Sequence, residues 1–144
     1  MEARDLALAH ARSRMAIGAA LVVLPGLAGR LWIGDDSRRG AVKVFAQALG
    51  GRDLALGLGV VIALDRGAPV RGWLEAGALA DTVDLAATVL ARDSIPAGAR
   101  RAAVALAGGS AAVGGLLARA LDQPPPADAV QAPEAALTGH PAQA

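Results

Sequence analysis

Residues 13–33, 41–64, 71–91 and 99–121 are four apolar stretches, parted only by short polar or turn-forming breaks: GDDSRRG (34–40), DRGAP (65–69) and RDSIPAG (92–98). A helix needs about 20 residues to cross the ~30 Å of hydrocarbon in a bilayer, and each stretch is close to that length. Strict apolar–polar alternation is missing and the runs are too long for strands, so an all-α chain is expected. Short connections favour an antiparallel, up-down-up-down four-helix bundle. A soluble Ala-rich bundle is the rival, but each of its helices would keep one wet face. In AAVALAGGSAAVGGLLARAL (102–121) only Ser110 and Arg119 are polar. The expected fold is therefore a membrane-spanning antiparallel four-helix bundle over residues 1–121. Beyond it lies a Pro- and Ala-rich stretch at 122–144, read as a disordered C-terminal tail.

The N-terminal stretch has the outline of a signal peptide, basic and then apolar. The chain beyond it is equally apolar, so an uncleaved first span is the expectation, with Pro25 kinking it. Pro69 and Pro96 stand where proline is tolerated, at helix starts. Trp32 and Trp73 fall at span ends, where indoles favour the headgroup region. Arg and Lys near the span ends divide six against seven between the two sides, which leaves orientation open. The six are Arg4, Arg12, Arg14, Arg66, Arg71 and Arg119; the seven are Arg30, Arg38, Arg39, Lys43, Arg92, Arg100 and Arg101.

Composition excludes several functions. With no cysteine there is no disulfide or thiolate chemistry, and His10 and His140 stand too far apart in the chain for a His-based metal site. A net charge of +1 argues against nucleic-acid binding through a basic surface. The bias toward Ala, Gly, Arg and Pro, with Lys43 the one lysine, fits a GC-rich bacterial coding sequence. No catalytic set, metal site or cofactor is expected.

The second stretch carries Arg52 and Asp53 in its middle, within ALGGRDLALGLGVVIAL (48–64). Helices joined by a tight turn run level at equal distances from its centre, since each residue advances ~1.5 Å. Arg52 then lies level with residue 83, between Asp81 and Asp84. These two are three apart and share a helix face, with Gly77 and Thr88 on the same stripe. An unpaired charge at that depth is costly, so Arg52 is expected to pair with both aspartates. Ser110 falls level with Asp81, and Gly108 and Gly109 lie beside it. Small-residue packing is expected at Gly108/Ala112 and Ala111/Gly115. The same construction sets Arg14 beside Glu75 and Gln47 beside Thr88. Three carboxylates against one guanidinium leave −2, so at least one of Asp53, Asp81 and Asp84 is expected to hold a proton or share a cation. A metal held by the three alone is disfavoured, because hard cations need more oxygen ligands.

At GGRDLALGLG (50–59) and RGWLEAGALADTVDLAAT (71–88) the chain resembles an uncharacterised family of small bacterial integral membrane proteins with four spans. The carried features are the Arg-Asp pair in span two, a Trp opening span three and Asp-x-x-Asp inside it, over about residues 10–120. The resemblance implies a membrane location and a four-helix bundle and supplies no activity; the expected location is the bacterial inner membrane. Three functions are open on the sequence. One is a structural or accessory multi-pass protein, alone in the lipid bilayer, as a homo-oligomer or as a partner subunit. Another is a proton- or cation-linked transporter or channel component using the aspartates. The last is an intramembrane lipid or isoprenoid enzyme with Asp81 or Asp84 as general acid.

Overall fold

A computed structural model describes residues 2–122, apart from the side chain of Leu31. Among these residues the chain is all-helical: α1 (Ala3–Val23), two single-turn helices α2 (Pro25–Ala28) and α3 (Arg30–Ile33), a 3-10 turn over Gly34–Arg38, then α4 (Gly40–Asp65), α5 (Arg71–Leu90) and α6 (Ala97–Ala120). Asp122 is the one residue of the expected tail that falls within this range; 123–144 lie outside the described residues.

Pro25 does more than kink the first span. Leu24 leaves helical geometry at φ −127, ψ 55, so α1 stops at Val23 and Pro25 opens α2 at a position where its missing N–H is harmless. The expected span at 13–33 is therefore displaced: the long helix is 3–23, and 24–39 form a folded connection. Ser37, 1% exposed, pins this connection by donating to the Gly26 carbonyl at 2.8 Å. Gly34 (φ 68) and Gly67 (φ 62) take the left-handed conformation that closes α3 and ends the run of α4.

The four long helices associate in two tight pairs, α1 with α4 and α5 with α6, and the pairs meet through fewer close approaches. Glycine sets the first pair. A Cβ on Gly18 would sit 2.7 Å from the Gly50 carbonyl oxygen, and one on Gly50 would sit 2.5 Å from that of Gly18. This is the backbone approach that small residues permit between helices. In α6 the close contact falls on Gly114, where a Cβ would sit 3.4 Å from Ala78 Cβ and 3.5 Å from the Leu74 carbonyl oxygen, rather than on the expected pairs: one on Gly109 or Gly115 would meet nothing within 4 Å, and one on Gly108 would touch only the Leu85 side chain.

The apolar distribution departs from that of a water-soluble domain. The interior is built largely of Ala and Gly with a few larger residues such as Val60, Leu74 and Leu117. Large apolar side chains point outward from every long helix, among them Val23, Phe45, Leu79, Leu90 and Leu116, with Leu90 84% and Phe45 75% exposed. Helices α1, α4 and α6, of 21, 26 and 24 residues, are long and apolar enough to cross a membrane. The fourth expected span, α5, is not among them, since its 20 residues include Arg71, Glu75, Asp81 and Asp84.

Candidate functional site

Where the two helix pairs meet, all four long helices contribute to one polar network. Arg14 on α1 is its centre and is only 6% exposed. Its Nη1 donates to Asp53 Oδ1 at 2.9 Å, and its Nη2 donates to Asp81 Oδ2, to Ser110 Oγ at 3.2 Å and, at 3.5 Å, to the Gly77 carbonyl. Ser110 Oγ donates in turn to Asp81 Oδ2 at 2.6 Å. Arg52 grips Asp84 with two parallel bonds, 3.1 Å to Oδ1 and 2.6 Å to Oδ2, the fork geometry that suits a carboxylate. It also reaches Asp53 Oδ1 at 3.0 Å.

The four core residues expected to gather do so, with altered partners. Arg52 pairs with Asp84 as expected, but not with Asp81, which belongs to Arg14. Arg14 is not beside Glu75; Glu75 accepts from Arg71 at 2.7 Å, one turn away on the exposed side of α5. Gln47 does not reach Thr88. It donates to the Val22 carbonyl at 3.1 Å, while Thr88 accepts from Trp32 Nε1 at 3.0 Å and donates to the Asp84 carbonyl at 2.7 Å. The register of α1 against α4 explains where Arg14 goes. Gly18 faces Gly50 and Ala11 faces Gly57, whereas a turn centred on residue 37 would have set Arg14 level with residue 60. The folded connection over 24–39 slides α1 by about six residues, more than one and a half helical turns, against α4.

The charge balance changes with it. Two guanidiniums, Arg14 and Arg52, stand against Asp53, Asp81 and Asp84, so full ionisation leaves −1 rather than −2. Among the described residues no enclosed side-chain nitrogen or oxygen lacks a partner. Every such bond to Asp53 and Asp81 falls on one oxygen of each, Asp53 Oδ1 and Asp81 Oδ2. Asp53 Oδ2 and Asp81 Oδ1 are therefore not enclosed.

The space that reaches them is a cleft of about 300 Å3 between α1 and α6, with Asp53, Asp81 and Asp84 at its floor. Its walls include two residues that sequence reasoning missed as site residues. His10 lies one turn before Arg14, and with no second histidine near it in the chain nothing in the sequence marks it. Trp32, expected in a headgroup region, instead turns inward to Thr88 and lines the cleft. Ile17, Leu106 and Val113 complete an apolar rim. An apolar recess of about 370 Å3 shares Ile17, Trp32 and Leu106 with it. The small residues flanking the aspartates thus border open space as well as packed contact. No family model matches the chain, and no curated protein or solved structure is significantly similar to it.

Proposed function

We propose that the chain is a multi-pass protein of the bacterial inner membrane, an antiparallel four-helix bundle of structural or accessory type, alone in the bilayer or beside a further copy or partner subunit. On this reading α5 also crosses, its carboxylates neutralised by arginines from α1 and α4, and the network fixes how the two helix pairs seat. Membership of the small four-span bacterial family that the Arg-Asp and Asp-x-x-Asp motifs resemble is part of the same proposal. The observation that carries it is a buried charge network inside an apolar outer surface: Arg14, Asp53 and Asp81 are 6%, 8% and 6% exposed, while Phe45 and Leu90 face outward. Water would penalise that surface, and a bilayer accepts it. Arg12 is the exposed cation near the middle of α1, and its stem must run along the helix to bring the charge toward a headgroup. Expressed protein is expected to stay in the membrane pellet after an alkaline carbonate wash and to leave it only with detergent; recovery in the wash supernatant would sink the membrane reading.

With Arg14 drawn into the interior it leaves the orientation count, which becomes five against seven. The side carrying Arg30, Arg38, Arg39, Lys43, Arg92, Arg100 and Arg101 is then the cytoplasmic one. Because the chain has no cysteine, a single Asp93→Cys variant reports this directly. Its thiol is expected to be shielded from an impermeant maleimide in intact cells stripped of their outer membrane, and to react once the membrane is opened. Labelling before opening would reverse the orientation.

The cleft favours a second reading, in which the aspartates handle a proton, a cation or a small polar solute. A carboxylate oxygen without a donor, held beside an open space, is the kind of group such chemistry uses.

A further inference from the structure

We infer that the cleft between α1 and α6 is a binding site for a small organic ammonium carrying a short apolar body. The inference rests on the second reading above and names its ligand class. The Asp81 side chain is 8% exposed and lines the cleft, and among the described residues its hydrogen bonds all fall on Oδ2, which leaves Oδ1 without a donor there. Asp53 also lines the cleft, and among the described residues its donors all meet Oδ1, which leaves Oδ2 without one. Two acceptors thus wait at the floor of one space. The cation that lines that floor is already committed, since both terminal nitrogens of Arg14 donate to Asp53, Asp81, Ser110 and Gly77. Arg52 stands behind Asp53 and Asp84 rather than in the cleft. Asp53, Asp81 and Asp84 against Arg14 leave the lining at −2, and adding Arg52 still leaves −1. A donor with positive charge completes both the hydrogen bonding and the charge; an anion would meet three carboxylates.

The walls set the rest of the ligand. Above the carboxylates the lining turns apolar at Ile17, Trp32, Leu106 and Val113, and the adjoining recess extends it. A cavity near 300 Å3 is at the lower end for small-molecule sites, which suits a body of a few carbons. A bare inorganic cation would leave that apolar wall without a partner. His10 lines the α1 side of the cleft.

The probe is n-butylammonium, titrated into detergent-solubilised protein at neutral pH and read by tryptophan fluorescence. A Trp73→Phe background leaves Trp32, in the cleft wall, as the one indole. The expected result is a saturable change in Trp32 emission, with n-butanol, butyrate and sodium each binding at least about tenfold more weakly. Asp81→Asn is expected to weaken butylammonium at least about tenfold. Should that variant fail to fold, Val113→Phe tests the same site without touching the network, and is expected to weaken binding as much at an unchanged melting temperature. Butanol binding as well as butylammonium would overturn the ammonium assignment while leaving a cleft that takes neutral solutes. Sodium binding as well would mean an inorganic cation site. Val113→Phe binding like its parent would move the site elsewhere. No saturable response to any probe would overturn the cleft reading too, and leave the membrane proposal to its own test.

Discussion

Replacing Arg14 with methionine is expected to remove most of the stability of the folded bundle. Methionine fills comparable space, so the loss is electrostatic. Asp81 loses its cation and keeps only Ser110, and Asp53 keeps only Arg52. Both carboxylates stay buried, and removing one partner of a buried pair costs about 3–5 kcal/mol because the survivor is left uncompensated. Thermal melting of Arg14→Met by circular dichroism in detergent measures this. A second substitution separates charge from volume: Arg14→Met with Asp81→Asn is expected to recover about half of the loss, since the stranded charge is gone. Arg52→Met is expected to cost less, because the Arg52 side chain is 31% exposed and solvent screens what it leaves behind. An unchanged melt for Arg14→Met would mean the network does not hold the helix pairs together.

The other large effect is expected at Gly18. A leucine there drives carbon into backbone, with the Gly50 carbonyl oxygen 2.7 Å and the Leu54 nitrogen 2.9 Å from the new Cβ. Flexible side chains give way to an intruding group; two helix backbones do not. Overpacking costs typically about 1–3 kcal/mol, and Gly18→Leu is expected at or beyond the upper end because relief requires α1 and α4 to part. Parting also pulls Arg14 from Asp53, which couples this site to the first. Gly109→Ala is the matched control: nothing lies within 4 Å, and alanine favours helix over glycine, so the melt should hold or rise slightly. Equal melting of the Gly18 and Gly109 variants would refute the close α1–α4 approach.

The sequence made some of this legible because two of the three connections are tight turns. Equal counting from the 65–69 turn sets Arg52 near Asp84, and from the 92–98 turn it sets Ser110 beside Asp81; both pairs bond. The first connection defeats the same arithmetic. Its residues fold into α2, α3 and a 3-10 turn instead of spanning the shortest path, so counting sends Arg14 to Glu75, and Trp32, which the apolar pattern sets at a span end, turns inward. A signal for Arg14 does exist on its own helix. Ala7, Ala11, Arg14, Gly18 and Leu21 keep a four-three spacing that marks one buried stripe, and an arginine in a row of mostly small residues must face inward. The glycine contacts mislead in the opposite way. The fourth stretch is richest in adjacent small residues, yet close approach depends on what stands across from them. Gly18 and Gly50 meet each other, whereas Gly109 and Gly115 meet nothing.

The charges that keep α5 from qualifying as a span on apolarity alone carry a consequence for biogenesis. If the helices lie in the bilayer as proposed, α5 enters it poorly by itself, with Asp81 and Asp84 near its centre. Both arginines that match those aspartates stand upstream, on α1 and α4, and leave the ribosome first. The order of synthesis therefore delivers the countercharges before the carboxylates that need them, and α5 partitions as the second arm of a hairpin with α4 rather than as a solitary segment.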